Sequence, residues 1–235
     1  MMANNMRGRL RKIKDHFERE AAVFDKMFFK IMPRYREMIE AVIGAFPFKR
    51  GYRPKVIDLG CGTGNLTEKI TGVYPGAEVT CLDMAENMLD AARAKLKGRK
   101  NVKFWLGDIR SFDYSGKYDA IVASMVLHHI EKREKPGFYR KLRKALSAGG
   151  VFCVVDIFLS PESHLQGLYM HKWRDFMRAG GLAEKRIDGM IARHQIEDRP
   201  VTLEEELCFM RKAGFKSVEV ILKHYNFAVY CGRAV

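Results

Sequence analysis

Apolar residues recur along this chain at two spacings, which predict helices at the start and alternating strands and helices afterwards. From position 10 to 32 they come every three or four residues, as on one face of a helix, and after Pro33 the spacing resumes over 35–46. The sequence therefore predicts two helices within residues 1–50, which would form an N-terminal helical cap. Residues 1–9 show no period and are expected to be disordered.

Five short apolar runs predict strands, with helical segments between them. The strands are expected at Lys55–Leu59, Glu78–Asp83, 101–106, Tyr118–Ser124 and 151–158. The helices are expected at 65–71, 85–96 and 135–146, the last of them stopped by Ala148, Gly149 and Gly150. Strands that alternate with helices indicate an α/β fold with a parallel, doubly wound sheet.

The end of the chain departs from this alternation. A helix is predicted at 202–212, and two strands, at 217–222 and 226–230, are joined by a very short link. Parallel strands cannot be joined so briefly, so these two form an antiparallel hairpin. Residues 160–201 read as a helical insertion, expected to act as a lid over the domain of residues 51–235.

A glycine-rich loop follows the first predicted strand. Asp58 precedes Gly60, Gly62 and Gly64 in the pattern D-x-G-x-G-x-G. A dinucleotide fingerprint is G-x-G-x-x-G, and its third glycine would fall at Asn65. The loop is therefore suited to a nucleotide-type cofactor, but the spacing does not fit NAD or FAD.

Two further acids end predicted strands. Asp83 lies at the place where a carboxylate accepts hydrogen bonds from ribose hydroxyls, and it could also cap the helix at 85–96. Gly107 and Asp108 follow the third strand, and a Tyr118-Asp119 pair opens the fourth.

These four spaced motifs and the terminal hairpin resemble the class I S-adenosylmethionine (SAM) dependent methyltransferases. The resemblance covers residues ~50–235 and implies a Rossmann-like, seven-stranded, mostly parallel sheet. It implies SAM as cofactor, S-adenosylhomocysteine as product, and methyl transfer as the reaction. The implied cofactor-binding residues, with Tyr35 added by the branch described next, are Tyr35, Asp58, Gly60, Cys61, Gly62, Gly64, Asn65, Asp83, Met84, Met88, Gly107, Asp108, Ile109, Ser124, Met125 and His129.

The N-terminal helices narrow the resemblance to one branch of that family. The run from Phe24 to Met38 and the late Tyr225-Asn226-Phe227 are similar to the carboxy-SAM synthase of tRNA wobble-uridine modification. In that branch a tyrosine matching Tyr35 reaches the cofactor, and an arginine placed loosely near Arg193 holds a carboxylate. Ser124 and the His128-His129 pair depart from the branch, which favours ordinary methyl transfer.

The sequence leaves the acceptor open. Histidine titrates near neutral pH, so His128, His129 and His171 are the candidate catalytic bases, with His128 and His171 placed first. The candidate substrate-binding residues are Phe28, Tyr169, Trp173 and Arg193. No metal site is predicted, because no carboxylate–histidine spacing stands out, although His128, His129 and His171 could meet in space.

Composition adds an alternative partner. The net charge is +14, and residues 1–55 hold 14 Lys and Arg against 6 Asp and Glu. A basic segment attracts anions, so an RNA-directed enzyme is the alternative to a small-molecule methyltransferase. A non-catalytic SAM-binding protein is the third reading, and either a monomer or a homodimer is compatible with the sequence.

The five cysteines form no C-x-x-C pair and are expected to be reduced thiols. No apolar stretch reaches membrane-spanning length, and the basic start lacks the apolar core of a signal peptide. A cytoplasmic protein without a membrane partner is expected.

Overall fold

The structure, a computed structural model, describes the backbone of residues 2–21 and 23–235 and the side chains of residues 8–21 and 23–235. Its centre is a seven-stranded sheet in the order β3-β2-β1-β4-β5-β7-β6. The strands are β1 (Lys55–Leu59), β2 (Glu78–Asp83), β3 (Val102–Leu106), β4 (Tyr118–Ser124), β5 (Leu146–Ile157), β6 (Lys216–His224) and β7 (Phe227–Arg233). The predicted doubly wound parallel sheet is confirmed, since β1 to β5 pair in parallel.

Nine helices pack around the sheet in the part of the chain that the structure describes. They are α1 (Met2–Glu20), α2 (Phe24–Ile31), α3 (Tyr35–Gly44), α4 (Asn65–Val73), α5 (Glu86–Lys95), α6 (Lys135–Ala145), α7 (Ser163–Ala179), α8 (Glu184–Glu197) and α9 (Leu203–Lys212). A single 3₁₀ turn, Leu127–His129, follows β4. Within these residues, the length and polarity of the helices leave none able to cross a membrane.

The N-terminal segment differs from its prediction in two ways. It holds three helices instead of two, because the chain turns after Glu20, where the N–H of Val23 donates to the Glu20 carbonyl. The unbroken apolar spacing concealed this turn. The predicted disorder of residues 1–9 is also wrong from Met2 onward, since α1 begins there. Met1 lies outside the described residues.

The sequence suggested that the glycines after α6 end that helix, but they do not. The helix ends at Ala145 and β5 begins at once with Leu146. Gly149 adopts a positive φ of 75°, and its N–H donates to the Ala234 carbonyl. A side chain on Gly150 would lie 3.0 Å from the carbonyl oxygen of Asp119. The glycines therefore allow β5 to approach its neighbours closely.

The predicted C-terminal hairpin is confirmed. β7 runs antiparallel to both β5 and β6 and lies between them, turning tightly at Tyr225, whose φ is 51°. Two apolar clusters cover the faces of the sheet, one beneath α3 and α4 and the other beneath α6 and α9. The carboxyl ends of β1, β2 and β4 meet at one edge, over which α1, α2 and α8 pass.

Candidate active site

A cavity that is partly open to solvent lies at this edge of the sheet. Apolar side chains of α1 and α2, among them Leu10, Ile13 and Phe17, form its roof. Most of the residues predicted for the site line it. These are Phe28, Tyr35, Asp58, Gly60, Cys61, Gly62, Asn65, Asp83, Met84, Met88, Gly107, Asp108, Ile109, Ser124, Met125, His128, His129, Trp173 and Arg193.

The glycine loop is bound directly to the end of β2. The backbone N–H of Gly62 donates to Asp83 Oδ2 at 2.8 Å. Gly60 has a φ of 62°, and a Cβ there would lie 2.5 Å from Cγ2 of Val126. A side chain is thus excluded by both conformation and space, and the loop leaves bare backbone facing the cavity.

Asp83 does not cap the helix that follows it. Its Oδ1 accepts from the N–H of Ala85, one residue before α5 begins. The carboxylate of Glu18 on α1 takes the capping place, accepting from the N–H groups of Glu86 and Asn87 at 2.9 Å each. Each oxygen of a carboxylate has two lone pairs, so Asp83 keeps acceptor capacity for hydroxyl groups in the cavity.

Gly64 is the one glycine of the motif that does not line the cavity. Its φ is 82°, and a Cβ would lie 3.1 Å from Leu96 Cδ1 and 3.3 Å from Ala92 Cβ. It permits α4 to begin against α5, so its role is packing. Its neighbour Asn65 lines the cavity, and its side-chain amide donates to Asp25 on α2.

Asp58 is buried at the floor of the cavity. Its Oδ2 accepts from the Thr67 hydroxyl at 2.7 Å, while Oδ1 has no hydrogen-bond partner among the described residues. Burial, with the nearby charge of Asp83, raises the pKa of Asp58 to about 7 despite the Thr67 hydrogen bond. A buried acceptor without a partner that borders a cavity is suited to bind a cationic ligand group.

Tyr35 connects the N-terminal helices to the end of β4. Its hydroxyl lies 3.3 Å from Ser124 Oγ, and burial raises the pKa of the phenol so that it stays neutral. Phe28 packs edge-on against Tyr35, with ring centroids 4.7 Å apart, and stacks on Phe24 at 4.9 Å. Met125 follows Ser124 with a φ of 56°. Helices α2 and α3 thus place aromatic side chains beside the end of β4.

The far side of the cavity lies between β3 and α5. Met88 is fully buried and lines the cavity, so its core and cavity roles coincide. The N–H of Gly107 donates to the Asp83 carbonyl. The Asp108 carboxylate pairs with Arg110, which lowers the pKa of Asp108 although burial opposes the shift.

His128 is buried and held by an acid. Its Nδ1 lies 2.5 Å from Oδ1 of Asp156, and its backbone N–H donates to the other oxygen of the same carboxylate. Burial lowers the pKa of His128, but the charges of Asp156 and Asp198 outweigh burial and raise it. The pairing leaves Nε2 on the side of Asp198, which also lines the cavity.

Asp198, which lies beside His128, also contacts two further histidines. Asp198 Oδ1 lies 3.1 Å from His129 Nδ1, and its Oδ2 lies 2.7 Å from His194 Nδ1. Burial acts to raise the pKa of Asp198, but the nearby histidines hold it well below its usual range. Burial and the charge of His128 lower the pKa of His129.

Arg193 reaches the cavity from α8 beside a histidine of α1. Its Nη1 lies 2.8 Å from Nδ1 of His16. Burial, then the charge of Arg193, lowers the pKa of His16 to about 4, so His16 is neutral and accepts this hydrogen bond. Trp173 Nε1 donates to the carbonyl of Ile31, which fastens α7 to α2.

Besides Gly64, the structure does not bring two of the predicted residues to the cavity. His171 lies on the outer face of α7, with its side chain 67% exposed and paired with Asp175. Tyr169 lies on a different face of α7, where it contacts Lys223 and Tyr225. The helical spacing placed both residues on α7 correctly but could not tell which face turns inward.

Several residues of the site were missed from the sequence. Glu18 and Arg9 on α1, Asp25 on α2, Asp156 on β5 and Asp198 after α8 each bind a cavity element from a distant part of the chain. Asp156 could have been found, since it is the last residue but one of a strand beside β4, much as Asp83 is the last residue of a strand beside β1. The others lie in or directly after helices, and the sequence did not show which side of each helix turns toward the cavity.

Comparison with known proteins agrees with the fold and the motifs. Residues 56–150 match a family model described as a methyltransferase domain. Carboxy-S-adenosyl-L-methionine synthase of Nautilia profundicola is 27% identical over 91% of both chains. The enzyme of the same name from Campylobacter fetus is 29% identical over 94% of this chain and 95% of its own.

Solved structures share the fold. The complex of DhpI with S-adenosylhomocysteine is 20% identical, covers 93% of both chains and has a TM-score of 0.64. Human N-acetylserotonin methyltransferase in complex with SAM has a TM-score of 0.58 at 18% identity, covering 86% of this chain, which spans 51% of the human chain. Residues 56–150 therefore match a methyltransferase domain, and the chain has the fold of the class I SAM-dependent methyltransferases.

Proposed function

We propose that this enzyme transfers the sulfonium methyl of SAM to a nucleophilic atom of a small-molecule acceptor bound beneath the N-terminal cap and the insertion. The observation that carries the proposal is the cavity itself. Its roof is apolar and aromatic, formed by Ile13, Phe17 and Phe28, and its polar groups gather at the strand ends. Such a mostly apolar cavity with a few polar groups is typical of a small-molecule site.

The residues present fit SAM. The loop at Gly60 and Gly62 would lie against the methionine part, and Asp83 would accept from the ribose hydroxyls. Asp58 has an oxygen without a partner, which suits the amino group of the methionine part. Met88 and the Asp108–Ile109 turn would border the adenine.

SAM, when bound, supplies a methyl group already activated by its positive sulfur. The acceptor atom forms the new bond to carbon while the carbon–sulfur bond breaks, and the electron pair stays on sulfur. The protein's task is to align the two and exclude water. Where the acceptor is a thiol or hydroxyl, its proton must leave, and His128 is the candidate base because Asp156 fixes its Nδ1 and leaves Nε2 available.

The enclosure of the cavity favours a small molecule over RNA. A nucleotide would have to leave its stack and enter beneath α1, at a cost of a few kcal/mol. Charge at the roof is also internally paired: Arg9 binds Glu131, and its Nη1 donates to the Glu197 carbonyl. Arg9, one of the basic residues within 1–55, therefore holds α1 in place over the cavity.

Carboxy-SAM synthesis is the second candidate. The similarity to carboxy-SAM synthases runs over nearly the whole chain, including the cap. Arg193 reaches the cavity and could hold a carboxylate. Ser124 and the His128-His129 pair depart from that branch, so we place methyl transfer first.

One experiment separates these alternatives. The purified enzyme is incubated with SAM labelled on its methyl group and a cell extract divided into a low-molecular-mass fraction and an RNA fraction. We expect label in the small-molecule fraction, together with S-adenosylhomocysteine. Label confined to RNA would contradict the proposed acceptor class, and carboxy-SAM identified by mass spectrometry would favour the second candidate. No transferred label from any fraction would support a protein that binds SAM without catalysis.

We also propose a cytoplasmic location. All five cysteines lie among the described residues and are free thiols there, although Cys153 and Cys231 face each other on paired strands. Free neighbouring thiols are typical of a reducing compartment.

A further inference from the structure

We propose that His128, His129 and Asp198 bind one divalent transition-metal ion on the wall of the cavity. Each residue offers one donor atom, and the three atoms lie within 4.8 Å of one another. The role of the ion rests on the proposed function, because it would face the methyl acceptor. The site itself rests only on the three side chains.

The distances are close to those of a bound ion. His128 Nε2 lies 3.8 Å from Asp198 Oδ1, and His129 Nδ1 lies 3.1 Å from the same oxygen. A four-coordinate zinc ion with bonds of about 2.0–2.1 Å holds its ligand atoms roughly 3.4 Å apart. One separation is longer and the other shorter than that value, and all three donor atoms lie within 4.8 Å of one another, so side-chain rotations would bring them to the distances of a bound ion.

Neighbouring groups hold two of the ligands in the orientation that an ion requires. Asp156 binds His128 Nδ1, which directs Nε2 toward Asp198. His194 Nδ1 binds Asp198 Oδ2 at 2.7 Å and leaves Oδ1 for the ion. A ligand histidine whose other nitrogen is bound to a carboxylate is the common arrangement in metal sites.

His129 supplies an independent observation. Both of its ring nitrogens are shielded from solvent, and neither makes a hydrogen bond of normal geometry with any described residue. Its Nδ1 is near Asp198 but is not aligned for a hydrogen bond. A metal–nitrogen bond to Nδ1 would replace this poorly aligned contact with the carboxylate.

Hydrogen bonds to backbone carbonyls join the two segments that carry the ligands. Arg9 is buried and donates both to the His129 carbonyl at 3.0 Å and to the Glu197 carbonyl at 2.6 Å. The N–H of Arg199 donates to the His128 carbonyl at 2.6 Å. The turn after β4 and the end of α8 are therefore held together without an ion, as a preformed site requires.

The donor set indicates the class of ion. Two imidazoles and one carboxylate suit zinc and its first-row neighbours, and three protein ligands leave a position open for substrate. Here that position would face the cavity and take the polar atom of the acceptor, whose proton would leave to solvent on coordination. With the ion bound, His128 is a ligand, and the base role described above applies only to the metal-free protein.

The sequence predicts no metal site, since Asp198 is far from the histidine pair along the chain. The test uses protein without a histidine tag, stripped with a chelator and titrated with CoCl₂. Visible absorption follows the coordination of cobalt, and calorimetry gives stoichiometry and affinity. The variants are Asp198→Asn and His129→Ala, with the exposed His164→Ala as matched control, and circular dichroism verifies folding.

We expect one Co²⁺ per chain in the wild type and in His164→Ala, and affinity reduced about 100-fold or more in both ligand variants. No stoichiometric cobalt binding, or equal affinity in folded Asp198→Asn, would overturn the site. SAM binding by the stripped protein is measured in parallel. Cobalt binding without SAM binding would refute the proposed function and leave the metal site standing. SAM binding without cobalt binding would refute the metal site and leave the proposed function standing.

Discussion

The carboxylate of Glu18 accepts a hydrogen bond from the backbone N–H of Glu86 at 2.9 Å, so the first helix caps a helix of the sheet domain. The same carboxylate also accepts from the next N–H, and the side-chain amide of Asn87 donates to the Glu18 carbonyl. α5 has no capping side chain of its own, because its N-cap residue is Ala85. The cap over the cavity is thereby fastened to the segment that follows Asp83.

Removing the contact between Glu18 and α5 should destabilise the protein and loosen the attachment of α1 over the cavity. Glu18→Gln removes the negative charge from the start of α5, and loss of a cap typically costs ~1 kcal/mol. We expect a reduction of about that size in the free energy of unfolding by urea. Glu40→Gln is the matched control, since that carboxylate lies in the interior of α3 and forms an exposed pair with Lys69. Equal effects in the two variants would show that the Glu18 cap contributes nothing specific.

Gly64 should matter for packing more than for SAM. Gly64→Ala and the control Gly98→Ala both place alanine at a positive φ, at 82° and 88°, which costs about 1–2 kcal/mol in each. Only the Cβ at position 64 meets neighbours, since nothing lies within 4 Å of one at position 98. Denaturant unfolding should show a further loss of roughly 1–3 kcal/mol for Gly64→Ala. The packing role is wrong if both variants lose the same amount.

Cofactor binding should depend on pH through Asp58. Its pKa is raised to about 7, chiefly by burial, so the carboxylate that would attract a cationic amino group forms only as the pH rises through that value. The ionised fraction rises from about one tenth at pH 6 to about nine tenths at pH 8, so SAM affinity should increase about tenfold over this range.

Calorimetry at fixed ionic strength measures this dependence. The variant Asp58→Asn keeps the shape of the side chain and removes its titration. Its SAM affinity should be weaker at pH 8 than that of the wild type. The affinity of the variant should also change less between pH 6 and pH 8. A wild-type affinity that does not change between pH 6 and pH 8 would exclude Asp58 as the group that binds the amino group.

The sequence predicted the sheet and most of the residues that line the cavity, because local patterns encode both. Strand length, alternation with helices and the glycine spacing lie within short windows, and parallel strands bring their carboxyl ends together. The resemblance that these patterns carry implied Asp58, Asp83 and Ser124, and all three line the cavity. The hairpin at Tyr225 was predictable for the same reason, since a short link permits only one strand direction.

The remaining parts of the site join segments that are distant in sequence. The contact of Glu18 with α5 and that of Asp198 with His129 have no local pattern. His171 was misjudged because an exposed face of α7 has the same spacing as a buried one. The stops at Gly149 and Gly150 were misassigned because glycine also permits close approach between strands.

The central claim is that SAM binds at the glycine loop with Asp83 as its ribose acceptor, and one calorimetric comparison tests it most directly. SAM is titrated into the wild type, into Asp83→Ala, and into Asp90→Ala, a control on the exposed side of α5. We expect stoichiometric binding to the wild type and the control. Loss of hydrogen bonds to a charged acceptor should weaken binding to folded Asp83→Ala by about 3 kcal/mol, or roughly 100-fold. Unchanged affinity in Asp83→Ala would contradict the account.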